Sequence, residues 1–177
     1  MAAAALLLVG CGESRAPLPN AYLPASPKSP RAFAHLSFPT IGVSFYAPRQ
    51  WARVYRSGVV LIASGSAVIS FRRFASSGPV SALAPARGRL IAAARQRDQT
   101  LQLIRSKLTR IAGVHAIVLD AMETIEGARR RVRSLHLFTP GAEIVIEEYA
   151  PLALFRVVDH YVFSPLDHTL KLVSTRA

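Results

Sequence analysis

Cysteine is almost absent from this 177-residue chain. Cys11 is the only one, which excludes an intrachain disulfide and any metal site built on paired thiolates. Acidic residues are also scarce. Asp and Glu number 10 against 22 Lys and Arg, a formal net charge of +12, so attraction to anionic polymers or lipid headgroups is expected. No run of about 18 apolar residues follows residue 10, so the body has no stretch able to cross a bilayer as a helix. The chain lacks a Gly-x-Ser-x-Gly nucleophile elbow, a glycine-rich phosphate loop, and HExxH or CxxC spacing. Its histidines, His35, His115, His136, His160 and His168, are scattered. No catalytic residues, metal ligands or cofactor are therefore assigned. What remains is apolar enough to fold, with 51% hydrophobic residues, and long enough for one core.

The N-terminus carries the clearest signal. Residues 2–9, AAAALLLV, have the length of a signal-peptide apolar region and are too short to span a membrane. They run into Leu8-Val9-Gly10-Cys11, which resembles the lipobox of bacterial lipoproteins. That resemblance implies signal-peptidase recognition at Leu8, Val9 and Gly10, a diacylglyceryl thioether on Cys11, and an exported protein held on the extracytoplasmic side of a membrane. Two acyl chains suffice for stable anchoring. The start departs from the lipoprotein pattern in that alanines, not lysine or arginine, follow Met1. Pro17, Pro19, Pro24, Pro27 and Pro30 then make residues 11–36 read as a lipidated, semi-extended tether. The folded domain is expected over 37–177.

Within that domain, residues 41–46 (IGVSFY) alternate as a strand, and Ser64-Gly65-Ser66 joins strands at 59–62 and 67–71. Leu90, Ala94, Leu101, Ile104, Leu108 and Ile111 recur at helical spacing, which predicts a long amphipathic helix over about 89–111. Glu126-Gly127 and Pro140-Gly141 divide the following residues into an antiparallel meander. Residues 152–164 fit either strand alternation or a helix. The helix is preferred because it leaves Asp159 outside the core, and Pro165 is expected to break or kink it. Leu170, Leu172 and Val173 are expected to close the sheet. The class is α+β, an antiparallel sheet flanked by two helices.

This order, with the segments IGVSFYAPRQW, SGSAVISFRRF, IEGARRRVRSLHLFTPGAEIVIEEYAP and FRVVDHYVFSPLDHTLKLV, resembles the Mog1/PsbP-like fold and its exported lipoprotein relatives over about residues 38–175. The resemblance implies an α-β-α sandwich and a role in binding other macromolecules. It transfers no functional residue.

The candidate binding residues are Arg129, Arg131 and Arg133, which strand alternation places on one face with Arg130 on the other, joined by Arg72 and Arg73 as a basic surface. The bland counterpart is an exposed face paired with Glu143, Glu147 and Glu148. Asp159-His160 and Asp167-His168 read as polar residues on a helix surface. The expected function is a non-enzymatic envelope lipoprotein that binds a protein or an anionic envelope component, nucleic acid being disfavoured. The alternatives are an envelope hydrolase or transferase using Asp159, His160 and nearby glutamates, and a structural spacer.

Overall fold

The computed structural model describes residues 32–56, 58–76 and 83–175. Cys11, the residues before it and the proline-rich stretch through Pro30 lie outside these, as does most of the tether.

The main sheet has seven strands in the order β3-β4-β5-β9-β8-β7-β6, all antiparallel: β3 (Ala52–Arg56), β4 (Val59–Ser64), β5 (Ala67–Ala75), β6 (Gln102–Ile111), β7 (Val114–Ile125), β8 (Ala128–Thr139) and β9 (Ala142–Pro151). A smaller sheet, β1-β2-β10, is formed by β1 (Phe33–Phe38), β2 (Val43–Pro48) and β10 (Lys171–Leu172). Helix α1 (Leu83–Arg97) covers one face of the main sheet. The other face packs against the small sheet and a C-terminal helical run: α2 (Leu152–Val158), a π-helical turn (Asp159–Phe163) and α3 (Ser164–Thr169).

Turn chemistry builds the meander. Ala112-Gly113 and Glu126-Gly127 each place two consecutive residues at positive φ, the requirement of the tightest hairpin turn. The core lies between the two sheets, where the rings of Phe45 and Phe71 stack 4.5 Å apart and Phe155 and Phe163 close the helical side. Gly42 has φ +93°, and a Cβ there would meet the Arg73 guanidinium at 3.0 Å, so the β1–β2 turn needs glycine.

Four expectations are corrected. The helix expected over 89–111 is α1 at Leu83–Arg97, and residues 102–111 form β6. A bulge between Leu103 and Arg105 throws Ile104 out of alternation, so a bulged strand imitates helical spacing. Ile104 and Leu108, expected on the buried stripe, are 48% and 40% exposed. Gly113, read as a helix stop, closes a hairpin instead. The first strand begins at Phe33, inside the segment assigned to the tether. Finally, Pro165 does not end the C-terminal helix: it closely follows the π-helical turn, and the run continues through α3 to Thr169.

Candidate functional site

Strand alternation sorts β8 between two environments. Arg131, Arg133, Leu135 and Leu137 face the C-terminal helix and the small sheet, whereas Val132, Ser134 and His136 face α1. On the first of these faces, the guanidinium of Arg133 is the hub. Its Nε donates to Oε2 of Glu148 at 2.6 Å, Nη1 to Oδ1 of Asp159 at 2.7 Å, and Nη2 to Oδ2 of Asp167 at 3.0 Å. Glu148 is its direct cross-strand neighbour on β9.

The two aspartates arrive together because of the π-helical turn. In an unbroken α-helix, positions eight apart differ by about 80° around the axis. The extra residue accommodated by a π turn reduces this to about 20°, so Asp159 and Asp167 address one guanidinium. Ser164 secures the arrangement by donating to Asp159 Oδ1 at 2.9 Å.

Burial sets the electrostatics. Glu148 has no exposed surface, and desolvation, reinforced by the charge of Asp167, pushes its pKa well above the carboxylate range and favours the neutral acid. Burial also raises Asp167, to about 6, against the pull of Arg133. Oε1 of Glu148 and Oδ1 of Asp167 are both buried without a protein donor among the described residues, other than the proton that Glu148 itself offers Asp167. For Arg133 burial is the largest single influence and lowers the pKa, but its carboxylates together outweigh it and keep the cation charged.

Beside this hub, Arg131 donates through Nε and Nη2 to the two oxygens of buried Asp120, at 3.0 and 2.7 Å, and lies 4.7 Å above the ring of Phe155. That hydrogen bond raises its pKa further. Arg105 donates to the same Asp120 at 3.1 Å.

The residues named from sequence therefore do not make one open basic face. Arg133 is buried and occupied. Arg131 is held by Asp120, and Arg129 donates to the carbonyl of Thr100 at 2.8 Å. Arg72 and Arg73 are on opposite faces of β5. Arg72 lines a cleft beneath α1, while Arg73 donates to the carbonyl of Ile41 at 3.3 Å, tying the two sheets together. Of the three glutamates offered as partners, Glu148 meets Arg133 in a hydrogen bond. Glu143 pairs with His136, and Glu147 lies 3.7 Å from Arg97. Asp159 and Asp167, read as helix-surface residues, are the ones that converge; His160 is turned outward against Tyr161.

Two concavities flank β8. The cleft under α1, about 280 Å³, has an apolar wall including Leu90, Leu103 and Leu119 and a polar wall including Ser134, His136 and Glu147. In it His136 Nδ1 is 2.7 Å from Oε1 of Glu143, a pairing that leaves Nε2 for other chemistry. A groove of about 370 Å³ lies between β6 and α3, floored by Val118 and Leu135 and rimmed by Arg105, Lys107, Arg110 and His168.

Charge is segregated by depth over the molecule. Among the described carboxylates Glu126 alone is exposed, whereas Arg49, Arg53, Arg56, Lys107, Arg110 and Arg156 are among many exposed cations. Both edge strands of the main sheet, β3 and β6, carry cations and no acid.

Comparison with solved structures decides the fold. The solution structure of cyanobacterial PsbP (CyanoP) from Synechocystis sp. PCC 6803 superposes with a TM-score of 0.63 at 14% identity, covering 84% of this chain and 97% of that one. The fold is PsbP-like. A Pseudomonas aeruginosa protein of unknown function, PA94, aligns at TM-score 0.57 and 18% identity, covering 82% of this chain and 99% of its own. A structure from Bacteroides thetaiotaomicron aligns at 0.54 and 13% identity over 78% of this chain but only 47% of the other. No protein-family model and no curated protein sequence matches the chain. The PsbP-like likeness thus lies in architecture, and at these identities it carries no site residue across.

Proposed function

We propose that this chain is an exported, membrane-tethered accessory lipoprotein whose PsbP-like domain holds an anionic partner in the cell envelope without catalysing a reaction. The segregation of charge carries the reading. A domain that buries or half-buries its carboxylates and exposes its arginines and lysines presents positive potential on most sides, and long-range attraction of anionic surfaces follows. The lipobox-like Leu8-Val9-Gly10-Cys11 supports the tether. Two measurements test this. Intact mass and fractionation in the native host should show a membrane-bound form beginning at Cys11 with a diacylglyceryl increment, lost in Cys11→Ala. The unlipidated chain should sediment with phosphatidylglycerol vesicles and not with phosphatidylcholine vesicles, and release as salt rises. A soluble form retaining Met1, or binding indifferent to vesicle charge, would overturn the corresponding half.

One observation favours a second reading, an envelope hydrolase or transferase. The Glu143–His136 pair shares the α1 cleft with Ser134. A fluorophosphonate that labels wild type and not Ser134→Ala would establish it; no labelling removes it.

A further inference from the structure

We propose that the groove between β6 and α3 is a binding site for a phosphate group, with Lys107 and Arg110 as its principal ligands; this names the site and the ligand chemistry for the anionic partner proposed above.

Charge balance sets two cations of the groove apart. Around the groove, Arg105, Arg131 and Arg133 are offset by Asp120, Asp159 and Asp167, with Glu148 held toward its neutral form by burial. Lys107 and Arg110 are left over. Neither side chain has a hydrogen-bond or ion-pair partner among the described residues, and both border the groove: Lys107 opposite Val118 of its floor, Arg110 from the hairpin end of this edge strand.

Further donors border the same space. Arg105 uses its Nε on Asp120 and is 62% exposed, so the end of its fork is available. His168 has Nδ1 against the carbonyl of Ser164 at 2.5 Å, which leaves Nε2. The only carboxylate in the lining, Asp167, has one oxygen on Arg133 and the other buried beside Glu148, so it does not oppose an anion with a free charge.

A carboxylate ligand has two oxygens to share among these donors. A phosphate has more and suits a rim that carries Arg105, Lys107, Arg110 and His168, with Arg supplying the fork and Lys the point charge. The apolar floor of Val118 and Leu135 gives a place for carbon attached to the phosphate.

The phosphate could come from a free solute or from a lipid headgroup, and the test separates them. The full chain, unlipidated and isotopically labelled, is titrated with inorganic phosphate and, separately, with dihexanoyl phosphatidylglycerol below its micellar concentration. Saturable shifts of the amide signals of residues 105–112, 164 and 166–168 are expected with at least one probe. Phosphate alone sufficing points to a free solute, and a response confined to the lipid points to a headgroup. Lys107→Glu with Arg110→Glu should weaken the response by about tenfold or more, since it reverses both surplus charges. Arg89→Glu with Arg95→Glu, the same charge change on exposed residues of α1, should leave it intact. No saturable shift with either probe overturns the site. Equal loss in both double variants also overturns it, while leaving the general attraction to anionic surfaces standing. All four positions are exposed, so an unchanged spectrum elsewhere verifies the fold of each variant.

Discussion

Arg133 and Glu148 face each other across β8 and β9, joined at 2.6 Å where Glu148 has no exposed surface. A buried cation that serves three carboxyl groups from two strands and a helical run acts as a structural clamp. Arg133→Ala leaves those carboxyls without their counter-charge and should cost about 3–5 kcal/mol. Arg133→Lys should recover little of it, because one ammonium cannot reproduce the fork. Denaturant unfolding measures both, and a cost below about 1 kcal/mol for alanine would show that the cluster does not clamp the fold.

The same cluster predicts how stability varies with pH. Burial raises Asp167 to about 6, so the folded state holds this proton more tightly than the unfolded chain does. The resulting penalty is fully present well above pH 6 and is relieved as pH falls toward 4, the range of an ordinary aspartate. Acidification through this window should therefore stabilise wild type relative to Asp167→Asn by up to about 3 kcal/mol. Thermal melts of the two proteins at matched pH check the sign; parallel profiles would contradict it.

Glu148→Gln keeps the shape and an oxygen for Arg133 while removing a group whose ionisation is opposed by burial. It should be neutral or stabilising at pH 8, within about 1 kcal/mol, whereas Glu148→Ala should destabilise through both the cavity and the stranded guanidinium. Guanidinium denaturation curves at pH 8 separate the pair.

Helix α1 hides only Ala86 fully, against Ile117 and Leu119, and a cleft with one polar wall lies beneath its C-terminal half. Its amides should exchange with deuterium far faster than those of β7, β8 and β9, where both neighbours in the ladder are present. Mass-resolved exchange reads this directly; equal protection would mean that α1 belongs to the globally cooperative unit.

Much of this fold was legible because its signals are local. Ser64-Gly65-Ser66, Glu126-Gly127 and Pro140-Gly141 announce reversals through the residues themselves, and the strands between them alternate. Residues 102–111 were not legible, since a bulge beside Ile104 converts strand spacing into an apparent helical stripe and only pairing with β7 reveals the difference. The clamp was legible in halves. Alternation placed Arg133 on a face with Arg131, but the convergence of Asp159 and Asp167 depends on a π turn whose sole hint was Pro165 inside an otherwise helical pattern. The surplus of Lys107 and Arg110 was invisible in principle, because it follows from which other cations are already engaged.

The pairing of β10 with β2 also has a consequence for the order of events in synthesis. Val43 and Ser44 wait for Leu172 and Lys171, and the backbone of Tyr46 waits for the hydroxyl of Thr169, 123 residues further along the chain. The small sheet cannot be completed until residues 171–172 have left the ribosome, and contacts this far apart along the chain form slowly. Until β10 emerges, β1 and β2 lack their third strand, and the chain remains open enough to be threaded elsewhere.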